Sequence, residues 1–142
     1  MNFVDAARKG MDAHNRAIAA RREQDEVLRD ASKQMTDAFG TELTLCFTGV
    51  AKGLAAAILG GKREPPVLDT LEVTSKSGRS RKLASVSFGE MGYPLTLRWA
   101  DRSEYAADRE AFEATLQQLL ESRAAGEQIA YVLARGEGEP GE

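Results

Sequence analysis

One cysteine and one histidine in 142 residues set the first limits on what this chain does. Cys46 has no partner within the chain, so an intramolecular disulfide and a thiolate zinc cluster are excluded. His14 is equally alone, and any Ser-His-Asp or Cys-His machine would have to recruit it from the N-terminal region. Proline is scarce, at four residues, and none falls in 2–39. No uninterrupted apolar run nears the roughly 20 residues that span a bilayer. Asp5, Arg8, Lys9, Asp12 and Arg16 crowd the start of the chain, which leaves no apolar centre for a secretory leader. A cytoplasmic protein is the resulting expectation.

Charge is nearly balanced, with a formal net of -3, so the chain as a whole is no generic polyanion binder. The balance is uneven along it. Residues 1–40 are neutral, 41–100 carry +3 and 101–142 carry -6. Opposite fields of this kind suit the steering of a partner or of a second copy. The length suffices for one domain with a core that needs no staples. The expected organisation is a single domain over 1–135, followed by a disordered acidic tail over 136–142.

The stretch from Leu71 to Leu120 reads as an antiparallel meander feeding a capped helix. Leu95, Leu97 and Trp99 alternate with Thr96 and Arg98, the period-two pattern of a half-buried strand. Asp101 suits a turn, and Tyr105 falls on a short return strand. Asp108 then reads as a helix N-cap, with Glu110 and Glu113 near the positive helix end. Phe112, Leu116, Leu119 and Leu120 form one apolar helical stripe. Upstream, Leu71 and Val73 pair with Val86 and Phe88 as a hairpin around the turn-rich residues 76–81. Gly89, Gly92 and Pro94 mark the next break.

Before this meander, residues 2–39 favour helix. Val4, Ala7, Met11, His14, Ile18, Arg21, Asp25, Leu28, Ser32, Met35 and Phe39 alternate spacings of three and four, as heptad seam positions do. The seam is apolar at both ends and polar in the middle. Such a helix reaches roughly 50 Å at 1.5 Å per residue. A compact domain of this size has a radius of gyration of about 14–15 Å. Part of the helix must therefore protrude, break or pack on another chain; a break near Arg21 and Asp25 is the alternative to a protruding arm. Gly40 is the expected stop. Leu43, Leu45 and Phe47 alternate with Thr44, Cys46 and Thr48 as a strand, which sets Cys46 opposite the apolar side. Residues 49–61 read either as a short helix, from Val50, Leu54 and Ile58, or as a twisted strand pair. Residues 62–66 read as an exposed connector. Residues 122–126 break the last helix, and Ile129, Val132 and Leu133 continue it or start another.

Chemistry is thinly marked. Ala56, Gly61, Lys62 and Arg63 echo a phosphate loop but lack its first glycine and its Ser/Thr. Cys46 has no imidazole nearby in sequence and reads as a small strand residue. His14 sits in the helix seam and reads as a packed polar residue, with pH-dependent association as the functional option. Lys76, Arg79, Arg81 and Lys82 gather four positive charges at the hairpin loop, a candidate for phosphate contact in nucleic-acid binding. Base-stacking aromatics are not interleaved with them.

These observations predict a two-layer α+β fold. An antiparallel meander of four or five strands carries a long N-terminal helix and a C-terminal helix, ordered α-β-β-β-β-α. No cofactor, no metal and no catalytic group is expected. The expected function is that of a non-enzymatic, self-associating interaction protein: an adaptor, an inhibitor or a small assembly component. Its homo-oligomer interface is expected on Val4, Met11, His14, Ile18, Leu28 and Met35. The alternative is a nucleic-acid-binding module built on Lys76, Arg79, Arg81 and Lys82.

Overall fold

Helix α1 runs unbroken from Phe3 to Phe39 in the computed structural model, which describes residues 2–49 and 69–134. The expectations for 50–61, for the connector 62–66, for the phosphate-loop echo and for the tail 136–142 lie outside the described residues. Asn2 caps α1, its side-chain oxygen accepting from the N–H groups of Val4 and Asp5 at 3.1 Å each. Gly40, with φ at 72°, ends the helix in the left-handed region. The break considered near Arg21 and Asp25 does not occur. The two side chains pair across one turn at 3.8 Å, and neither interrupts the backbone ladder.

Five strands follow: β1 Leu43–Thr48, β2 Asp69–Ser75, β3 Ser80–Phe88, β4 Leu95–Trp99 and β5 Arg102–Ala106. They form one antiparallel sheet in chain order. Two helices close the described chain, α2 over Arg109–Leu120 and α3 over Arg123–Ala134. The fold is thus a two-layer α+β meander with a fifth strand and a second C-terminal helix. Among the described residues no helix is long and apolar enough to cross a membrane.

The alternation read from the sequence decides which sheet face is covered. Leu43 and Leu45 of β1, Leu71 and Val73 of β2, and Leu95, Leu97 and Trp99 of β4 are all buried beneath the helices. Thr44, Cys46, Glu72, Ser85, Thr96 and Arg98 alternate with them and line the other face, as the strand register requires. Helix α2 adds Phe112, Leu116 and Leu119 to the core, and α3 adds Ala125 and Val132. Asp108 caps α2 by accepting from the Ala111 N–H at 2.9 Å.

Two boundaries differ from the sequence pattern. The turn between β2 and β3 spans only 76–79, so Ser80, Arg81 and Lys82 are strand residues. The ladder shifts register between Leu71 and Glu72, whose partners are Ala84 and Lys82. The unmatched Leu83 forms a bulge that lets Leu83 and Ala84 both be buried. This phase change hides β3 from a period-two reading.

Helix α1 is held to the sheet at its middle by one close approach. Gly92, with φ at 91°, lies against Ala17 and Ala20; a Cβ there would meet the Ala20 Cβ at 2.5 Å. Its carbonyl accepts from the Gln24 Nε2 at 2.9 Å, and Gln24 is fully buried. A side chain at 92 is barred by both space and backbone conformation. Gly92→Ala is therefore expected to lower the unfolding free energy by about 1–3 kcal/mol, measured by urea denaturation. An unchanged midpoint contradicts this docking.

Candidate functional site: the uncovered arm of α1

A helix of this length carries two different surfaces. Core-facing residues Ala20, Gln24, Val27 and Leu28 are buried. Between residues 3 and 19 every position is exposed except Ala13 and Ala17, which are half-buried. Phe3, Val4, Met11 and Ile18 are 74%, 60%, 64% and 42% exposed. Roughly 25 Å of helix thus stands free of the sheet at 1.5 Å per residue. Only its inner end is held, by Ala17 against Gly92 and by Arg16, which reaches the Met91 sulfur at 4.0 Å.

The cause is geometric. A seven-residue repeat on a straight helix drifts by about 20° per heptad. From Val4 to Phe39 the seam therefore turns through about 100°. At about 100° per residue, the stripe of Val4, Ala7, Met11, His14 and Ile18 lies about 130° around the helix from the centre of the core-facing set. Leu28 and Met35 belong to the same seam, yet the drift has carried them onto the sheet. Leu28 is 3% exposed, and Met35 packs partly buried against the core. Of these two expected interface residues, Leu28 is a core residue and Met35 packs against the core. Val4, Met11, His14 and Ile18 remain together on the free stripe.

The polar centre of the seam has work within the chain. The Arg21 guanidinium lies over the rings of Phe47 and Phe88, 5.3 and 4.8 Å from their centroids. Ser32 and Thr36 lie along β1, the edge of the sheet. The Ser32 Oγ accepts from the Leu45 N–H at 2.8 Å, and the Thr36 Oγ1 accepts from the Leu43 N–H at 3.0 Å. Two outward donors of an edge strand are thereby closed off. A groove of about 640 Å³ runs here between α1 and β1. Its Ser32 and Thr36 hydroxyls are engaged with backbone, and Asp25, Arg29, Lys33 and Glu42 also line it.

The remaining candidates separate in space. Arg81 pairs in register with Val73 and Lys82 with Glu72, so they point to opposite faces of the sheet. Lys76 stays in the turn. The four charges do not form one loop surface. Arg79 and Arg81 instead stack on Tyr131 of α3, a contact between distant stretches that no local pattern announces. Cys46 lies on the sheet face away from the described helices, in register with Glu72. Burial, with the Glu72 carboxylate second, pushes its thiol up, away from nucleophilic use. Burial likewise pushes the Asp69 carboxyl up, with Arg21 pulling the other way. Among the described residues no three His, Cys, Asp or Glu side chains gather as a metal site would need. No protein-family model, curated protein or solved structure matches the chain.

Two outcomes follow from this geometry. Ser32→Ala strips the Leu45 N–H of its acceptor, and the unfolding free energy should fall by about 1–3 kcal/mol in urea denaturation. A loss within error would show that the edge is not closed this way. Tyr93 donates its hydroxyl to Glu23 Oε1 at 3.2 Å, and burial first, then Glu23, pushes its phenol up to about 12. Unfolded tyrosine ionises near about pH 10. The neutral phenol's contribution is therefore complete below about pH 10 and is lost as pH rises through the folded value. A spectrophotometric titration should show one late tyrosine, absent in Tyr93→Phe.

Proposed function

We propose that this protein is a non-enzymatic interaction protein that self-associates through the free stripe of α1. The carrying observation is the exposure of Phe3, Val4, Met11 and Ile18 on a helix whose other half is already docked. The docked half supplies a nucleus for the helix. Its outer turns gain little from propensity alone, and a packed neighbour is what stabilises such a segment in water. Large apolar side chains held on one exposed face mark an interaction surface.

A second copy is the partner that fits. Val4 and Ile18 stand at the two ends of the stripe and Met11 at its centre. A two-fold axis through Met11 sets Val4 against the partner's Ile18, Met11 against the partner's Met11, and the small Ala7 against the partner's larger His14. Such an isologous antiparallel pairing closes the assembly at a dimer. The non-enzymatic part of the reading is supported by the raised Cys46 thiol and by the placing of His14 on the free arm.

Analytical ultracentrifugation at tens of micromolar tests the proposal. The protein is expected to sediment as a dimer. Met11→Glu/Ile18→Glu should sediment as a folded monomer, because neither side chain supports the core. A wild-type monomer under these conditions contradicts the proposal.

A further inference from the structure

Arg79, Arg81 and Tyr131 form a group that serves neither the core nor the arm. Arg79 closes the turn, and Arg81, two residues on, is a strand residue of β3 on the helix side of the sheet. Each guanidinium carbon lies 3.9 Å from the centroid of the Tyr131 ring, so both cations are held on the same side chain. Arg79 Nη2 also donates to the Tyr131 hydroxyl. Tyr131 is 40% exposed, so the group opens to solvent.

Arg79 and Arg81 share the lack of a nearby carboxylate with Arg8, Arg16, Arg22, Arg29 and Arg98 among the described residues, and differ from these five in stacking together on one ring. Arg21, Arg102, Arg109 and Arg123 each lie within 4 Å of a carboxylate, whereas among the described residues neither Arg79 nor Arg81 does. Two like charges are held side by side with no acid between them. Stacking engages the flat face of a guanidinium and leaves its in-plane N–H edge available. Among the described residues, apart from the bond to the Tyr131 hydroxyl, neither fork has a hydrogen-bond partner, and the ring already orients both. Ordering the donors in advance lowers the entropic cost of taking up a ligand.

We infer that Arg79, Arg81 and Tyr131 form a binding site for a phosphate monoester group. The two guanidinium groups are held against one ring, which keeps their donors near each other. A planar carboxylate satisfies one fork, whereas a tetrahedral phosphate has oxygens for both. Its double charge at neutral pH also matches two cations. A nucleic-acid backbone fits less well: with Lys82 on the opposite sheet face, two converging cations release few counterions. The site uses no residue of the α1 arm and stands independently of self-association.

The test is a titration with inorganic phosphate at about pH 7.5, where the dianion dominates, with chloride holding the ionic strength constant. The arginine Nε–Hε resonances are followed by NMR and assigned through Arg79→Lys and Arg81→Lys. Arg79 and Arg81 should shift along a saturating curve, while Arg8 and Arg29 on α1 do not. Arg79→Gln/Arg81→Gln, folded by circular dichroism, should lose the curve. Tyr131→Leu should weaken it about tenfold by freeing the forks, and acetate should bind about tenfold more weakly than phosphate. Uniform, unsaturating shifts at all exposed arginines overturn the site, as does a curve that survives in the double variant. Acetate matching phosphate, or a short DNA duplex binding more tightly with a steep salt dependence, overturns the monoester assignment.

Discussion

A straight α-helix cannot hold a seven-residue repeat against a single wall, and the architecture of this protein follows from that constraint. The seam of α1 turns through about 100° along its length. Its C-terminal part meets the sheet, and its N-terminal part turns away. Had the repeat followed the helical period instead, Val4, Met11 and Ile18 would lie in line with Leu28. The free stripe would then be a simple extension of the core-facing surface. What the chain has is one helix with two apolar faces, set apart in angle and in position.

The docked half of α1 depends on contacts of small size. Gly92 admits Ala17 and Ala20 to backbone distance, and Gln24 bonds the Gly92 carbonyl. Ser32 and Thr36 close outward donors of β1, an edge strand of the described sheet. Arg21 covers Phe47 and Phe88 where the helix leaves the sheet end. Arg21, Asp25 and Ser32, which interrupt the heptad seam between Ile18 and Met35, thereby have partners inside the chain. The interruptions are what tie the helix to one edge of the sheet. On the far side, Arg109 at the start of α2 bonds Glu26 of α1 at 3.0 Å and joins the two helices above the core.

Most of the fold was legible because its signals are local. Alternation at Leu95, Leu97 and Trp99 is a two-residue period, the Asp108 cap precedes its helix directly, and Gly40 follows its own. The strand β5 was nearly hidden, since Arg102, Ser103 and Glu104 belong to a charged edge with little to bury. The first half of β3 was hidden by its bulge, which breaks the period at Leu83. The candidate site was half legible. The seam could be read, but the division between free and docked members follows from the drift of the repeat against a sheet whose position local spacing does not give. The stacking on Tyr131 was beyond reach, because Arg79 and Tyr131 are 52 residues apart and no periodicity joins them.

The central claim is that one half of α1 is satisfied within the chain and the other half by a second copy. Amide hydrogen exchange, followed residue by residue as a function of protein concentration, addresses it directly. The account predicts that protection over residues 3–19 rises with concentration, while protection over residues 24–36 stays constant. Protection of the first segment that is the same at the lowest and highest concentrations would contradict it.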